Sequence, residues 1–180
     1  MIYDIVTLND PILKKESEEV VIADKELKSL ADDLLETMYK AKGVGLAGVQ
    51  VGILKRIIVV DVKQRDGETQ DEQIASRHPH ILVNPVITWK SDEVELMDEG
   101  CLSVPGEKEQ VLRHLAVEVE YQDTDLKPQK IKAEGYLAQA LQHEIDHING
   151  ICYTDRISKL KRDKIKTKIK KYCDLKIHLV

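Results

Sequence analysis

From Gly135 to Gln142 the chain carries no charged residue, and it then runs straight into His143-Glu144-Ile145-Asp146-His147. Glu134-Gly135 and Asn149-Gly150 bracket this stretch as start and stop signals of a helix. A helix on a protein surface intersperses Lys and Glu around its apolar stripe, so one that omits them is predicted to be buried on more than one side. At the helical period Leu137, Leu141, Ile145 and Ile148 form a packing stripe. Tyr136, Gln139, Ala140, His143 and His147 share the neighbouring face, where the first three would border a side-chain pocket.

The spacing of the two histidines names a chemistry. Imidazoles at i and i+4 lie about one helical turn apart and can share one divalent metal ion, with Glu144 in reach of a water that the ion activates. A hydrolytic metal site takes three protein ligands and keeps one position open. Cys101, in Asp98-Glu99-Gly100-Cys101-Leu102-Ser103-Val104-Pro105-Gly106, is the favoured third ligand, since a glycine beside it frees the thiolate to reach inward. Its competitors fit less well: no His stands at the extended metzincin spacing, the downstream segment offers only Asp155, Asp163 and Asp174, and Cys152 and Cys173 lack a flanking glycine. His78 and His80 belong to a polar segment remote from the motif.

The remaining elements are read from period and punctuation. Residues 1–23 form an extended arm with a turn at Asn9-Asp10-Pro11, and Asp24 caps an amphipathic helix whose apolar positions run from Leu27 to Met38 and which ends before Gly43. Four glycines follow in Gly43–Gly52, ahead of the β-branched strand Arg56–Val62. That order excludes a dinucleotide or P-loop site, where the glycines follow a strand and open a helix, so no nucleotide cofactor is expected. The glycines instead let a ligand approach the backbone, with Gln50 as a hydrogen-bond donor in an apolar segment.

Residues 63–79 read as a surface loop or hairpin tip, and Ile81–Trp89 as a strand interrupted at Asn84-Pro85 by a bulge or an edge. Val94–Met97 is a further strand, and Val111–Tyr121, which alternates from Ala116 onward, forms a hairpin with Gln129–Ala133. Arg113 or His114 faces the cleft or makes a surface ion pair. A short strand is expected at 151–155, then a helix at about 157–173. That helix carries eight basic residues against one acid, Asp163, in a chain of net charge -5, a composition suited to RNA phosphate.

At 180 residues, 42% hydrophobic and 33% charged, the sequence suits a single globular domain over 1–180, with a mostly aliphatic core since Phe is absent. Three scattered cysteines indicate a reducing compartment, and with no signal peptide or membrane-length apolar run the expected location is cytoplasmic, with no membrane partner.

Taken in order, Gly43-Val44-Gly45-Leu46-Ala47-Gly48-Val49-Gln50, Glu99-Gly100-Cys101-Leu102-Ser103 and Gln142-His143-Glu144-Ile145-Asp146-His147 resemble the three motifs of the peptide deformylases, of the bacterial and organellar type 1 kind. One position departs: the family's first motif usually has a second Ala where this chain has Gly48, which predicts a looser loop. The resemblance implies an α+β fold with antiparallel or mixed sheets wrapped around a central metal-bearing helix, flanked by an N-terminal and a C-terminal helix. It implies removal of the N-formyl group from formyl-Met nascent peptides.

Its implied ligands are Cys101, His143 and His147, holding one Fe(II) that Zn or Ni can replace. Its implied catalytic groups are Glu144 with the oxyanion donors Gln50 and Leu102 N–H. Substrate is expected along Val44, Gly45 and Leu46, at Glu99 and Gly100, and against Tyr136, Gln139 and Ala140, with the ribosome as partner of the Lys-rich helix. A zincin-type peptidase and a non-catalytic, ribosome-associated metal-binding protein are the competing readings.

Overall fold

The protein is described by a computed structural model covering residues 1–63, 66–67 and 69–177; Gln64, Arg65, Glu68 and positions 178–180 of the sequence-based expectations lie outside the described residues. The fold is α+β. In chain order it comprises α1 (Lys25–Lys40), β1 (Gly45–Ala47), β2 (Ile57–Val60), α2 (Gln70–Ala75), β3 (His80–Lys90), β4 (Val94–Cys101), β5 (Val104–His114), β6 (Ala116–Gln122), β7 (Pro128–Glu134), α3 (Gly135–Ile148) and α4 (Lys159–Ile177). Five strands form an antiparallel sheet in the order β1-β2-β3-β6-β7, and β4 with β5 forms a separate antiparallel ribbon.

β2 shows why the sheet sits where it does. All four of its residues are buried, because successive side chains point to opposite faces and both faces are covered. Ile58 and Val60 join the cluster around α3, with Leu141, Ile145 and Ile148, while Ile57 and Val59 join Leu27, Leu30, Leu34 and Met38 of α1. α3 is therefore the inner layer. Every residue from Ala138 to Ile148 is buried, as the lack of charge up to Gln142 predicts for its first part.

The arm before α1 ties the inner layer to its surroundings. Asp10 caps a 3-10 turn at Pro11–Lys14, accepting from Ile12 N at 2.9 Å. Val6 N donates to Gln50 O at 2.9 Å, Leu8 N to Ser103 O at 2.8 Å and Ser17 N to Ile148 O at 2.8 Å, so one extended segment touches all three motif regions. Asp24 caps α1 through Leu27 N, as its sequence position predicts.

The structure bears out one of the two expectations at Asn84-Pro85 and departs from the sequence reading farther along. β3 is continuous through Asn84-Pro85, and the interruption is a bulge: Asn84 takes φ 51° and the register to β6 shifts between Val83 and Val86. Its side chain accepts from Val20 N and donates to Val20 O and Gln122 Oε1, tying the N-terminal arm to the bulge. Within 63–79 lies a short helix, α2, started by a capping box in which Thr69 accepts from Glu72 N and Glu72 accepts from Thr69 N. Residues 153–156 form a 3-10 turn instead of a strand, since Asp155 folds back onto Cys152 N. Among the described residues α4 buries only Ile165 and Ile169 of its apolar positions, leaving Leu160 81% exposed.

Candidate metal centre and cleft

α3 places the two imidazoles side by side, with His143 Nε2 and His147 Nε2 3.1 Å apart. β4 ends on Cys101, whose Sγ lies 3.2 Å from His147 Nε2, and the three ligand atoms fall within 4.8 Å of one another. Two ring nitrogens and a sulfur converging at such distances cannot all be satisfied by sharing protons, and a cation between them resolves the arrangement. Gln50 Nε2 at 3.4 Å and Ser103 N at 3.4 Å donate towards the sulfur, which suits a thiolate. The residues present fit one metal ion.

Behind the ligands lies a buried ion chain. Glu99 Oε1 accepts from His143 Nδ1 at 2.5 Å, which assigns the proton to Nδ1 and turns the Nε2 lone pair to the ligand cluster. Arg113 donates to both oxygens of Glu99 (2.9 and 2.5 Å) and to Asp146 Oδ2 at 2.7 Å, and Arg156 adds two 2.6 Å contacts to Asp146. Burial alone would raise the Glu99 carboxyl, but the Arg113 and His143 donors outweigh it and hold Glu99 down at about 2.

Glu144 lives under the opposite regime. It is 4% exposed, its Oε2 meets no hydrogen-bond partner, and burial pushes its carboxyl up to about 7. β1 explains its position. Gly45 pairs with Val60 on the α3 side of the sheet, and a Cβ there would stand 2.7 Å from Glu144 Cδ, so the glycine makes room for the carboxylate.

Glu144 faces a cavity of about 520 Å³ that Val44, Gly45, Gln50, Leu102, Gly100 and Tyr136 also line, along with Gln139, Ala140 and Glu99. Gln50 is 1% exposed and held by Ala47 N on its oxygen and Ser103 Oγ on its nitrogen. Tyr136 is 47% exposed at the mouth, and Gln139 is fixed by donating to Asp98 O at 2.8 Å.

Two expected contact residues are placed differently from the rest. Leu46 points to the α1 side and is fully buried there, because alternation along β1 sends it opposite to Gly45, and it does not line the cavity. Glu99 borders the cavity, but its carboxylate is committed to His143 and Arg113. The cysteines passed over as ligands lie elsewhere: Cys152 is buried in the main core with its thiol pushed up to about 12 by burial, and Cys173 contacts Thr7 Oγ1. Of the downstream acids, Asp155 pairs with Lys14 and Asp163 with Lys159. His78 and His80 contact each other near Asp61, which accepts from His78 N.

Gly48 is buried, and an added methyl would stand 3.0 Å from Ile53 O and 3.2 Å from Lys55 O. The missing methyl thus admits the 53–55 segment against the turn. Sequence reasoning missed Asp146 and Arg156 as parts of the site and left Arg113 undecided. The available signal was Asp146 itself, a carboxylate inside a helix otherwise set for full burial, which demands a buried cation.

The comparisons with known proteins agree with this geometry. The sequence profile described as polypeptide deformylase matches residues 2–163. A peptide deformylase of Bartonella tribocorum is 46% identical over 167 residues, covering 93% of this chain and 90% of that protein. The crystal structure of a peptide deformylase from Legionella pneumophila superposes with TM-score 0.87 at 37% identity, covering 98% of each chain. That of the Ehrlichia chaffeensis enzyme in complex with actinonin gives 0.86 at 41% identity over 95% of this chain and 97% of the other. With a shared profile over nearly its whole length, a shared fold and the three motifs gathered at one cavity, the chain belongs to the polypeptide deformylase family.

Proposed function

We propose that the protein removes the formyl group from the N-terminal formylmethionine of nascent polypeptides and releases formate. The observation that carries this reading is the buried, unpartnered Glu144 Oε2 beside the Cys101–His143–His147 cluster, at the floor of a cavity open to an extended peptide. Cys101, His143 and His147 would hold one divalent ion, which supplies a Lewis acid for the formyl oxygen and brings a water to ionisation near neutral pH. Glu144 takes the proton from the attacking water and returns it to the leaving amine. Gln50 Nε2 and Leu102 N–H hold the developing oxyanion, Gln50 by turning from Ser103.

Among the described residues β1 is an edge strand paired only with β2, so the backbone of Val44, Gly45 and Leu46 is the rail along which a peptide adds as a further strand. Gly100 keeps the opposite wall low, and Tyr136, Gln139 and Ala140 border the methionine side chain. Glu99 acts by orienting His143. A thiolate ligand lowers the net charge of the site and makes it a gentler Lewis acid, adequate for an unhindered formamide. We assign Fe(II) as the physiological ion, with Zn or Ni as substitutes in purified protein.

No helix among the described residues is long and apolar enough to cross a membrane, and we place the protein in the cytoplasm with its substrates. On α4, Lys161 and Lys168 pair with Glu109 and Glu107, whereas Lys164, Lys166, Lys170 and Lys171 have no carboxylate partner among the described residues and are free to meet ribosomal RNA phosphate.

The relatives support neither an internal-bond peptidase nor a non-catalytic metal protein. The test is formate release from a formyl-Met peptide beside an unblocked peptide, using anaerobically purified protein of measured metal content. Cleavage of the unblocked peptide without formate release would overturn the assignment. Ribosome co-sedimentation of a Lys164, Lys166, Lys170 and Lys171 to Glu variant tests α4, and unchanged binding would discard the RNA contact.

A further inference from the structure

We propose that a second cavity, on the reverse face of α3, is a binding site for a phosphate monoester. It encloses about 440 Å³, within the roughly 300–1,000 Å³ of small-molecule sites. Its charged lining is four cations, Arg56, Lys90, Arg113 and Arg156, against one carboxylate, Asp146. That carboxylate is already neutralised: Arg113 and Arg156 hold Asp146, and Arg113 also holds Glu99, so two buried acids and two guanidiniums close on one another. Arg56 and Lys90 remain outside this balance. Neither forms an ion pair among the described residues, and Arg56 is steadied only by neutral oxygens, Asn149 Oδ1 at 2.9 Å and Pro85 O at 3.4 Å.

A protein of net charge -5 thus keeps two uncompensated positive charges at one concavity. Two unpaired cations at one site favour a dianion over a monoanion, and a phosphate monoester carries about -1.5 to -2 near neutral pH. Arg offers planar paired donors to its oxygens, and Lys a point charge. Apolar residues share the lining, and of these Val86, Leu112 and Ile151 offer an organic group a surface to leave water against. Leu112 and Val86 are 55% and 54% exposed. The site therefore takes a phosphate carried on an apolar body, and it shares none of its lining with the formyl-peptide cleft.

The experiment is a ¹⁵N NMR titration of the metal-loaded chain with phenyl phosphate, inorganic phosphate and benzoate, each at matched ionic strength with chloride as the control. Saturable shifts are expected at Ile87, Lys90, Leu112 and Ile151, with phenyl phosphate tighter than inorganic phosphate by about tenfold for its buried ring. Lys90→Glu, on an exposed side chain, should weaken phenyl phosphate by on the order of tenfold while the rest of the spectrum is unchanged, and Arg56→Gln should act in the same direction. Shifts confined to the metal cleft or to α4, shifts that chloride reproduces, or equal binding of benzoate would each overturn the proposal. Because the readout is binding at the reverse face, it stands or falls separately from deformylase activity.

Discussion

On the inner side of the ligand cluster, Glu99 is surrounded by donors; on the cleft side, Glu144 keeps one oxygen with no partner at all. Both carboxylates are buried within one short distance of the same histidine, yet the first is held at about 2 and the second is pushed up to about 7. Burial disfavours charge in each case, and the number of donors decides the sign. The difference teaches how one site separates holding from reacting. A carboxylate locked by Arg113 and His143 fixes a ring, and one left unsatisfied near neutrality can exchange a proton.

Removing the reactive carboxylate should have the largest effect. Glu144→Ala is expected to retain its metal, measured by elemental analysis, and to lose about 10²–10⁴ in kcat. A metal-loaded variant with near-normal turnover would erase the distinction between the two acids. On the same side, Gln50→Ala should cost about 10²–10³ in kcat, read with a formyl-Met peptide; an unchanged rate would take Gln50 out of the oxyanion site.

The inner acid should fail differently. Glu99→Gln is expected to weaken metal retention about 10–100-fold in a chelator competition, with kcat of the metal-loaded fraction falling less than in Glu144→Ala. If Glu99→Gln instead keeps its metal and loses turnover alone, the two roles are reversed.

The mildest test concerns the turn that carries Gln50. Gly48→Ala should overpack against the Ile53 and Lys55 carbonyls and lower stability by about 1 kcal/mol, a fall of about 2–4 °C in Tm. A rise in Tm would show that the neighbouring segment yields to the methyl.

What could be read in advance follows the range of the interactions. α3 was legible because its caps, its period and its lack of charge are all local, and Cys101 because the chemistry of two histidines demands a third ligand. α2 was missed although its capping box, Thr69 with Glu72, is written in the sequence; no residue of α2 is buried, so no apolar period announced it. The ion chain is of another kind. Arg113 meets Asp146 across 33 residues and Glu99 across 14, and Asp98-Glu99 or Arg113-His114 taken alone reads as ordinary surface polarity. Leu46 illustrates a smaller gap, since motif position marks a backbone segment but only strand alternation tells which side chain faces in.

The unbroken burial of α3 from Ala138 to Ile148 also governs how the site can come apart. Amides in such a helix open to solvent only when the molecule unfolds as a whole, so His143 and His147 stay together for the lifetime of the native state. Cys101 is attached otherwise, at the end of a ribbon strand with a two-residue turn after it and with its surface partly accessible. Of the three groups that could hold an ion, Cys101 would therefore be the one free to move away first, on the timescale of a turn, while the histidine pair keeps the much slower time of the core.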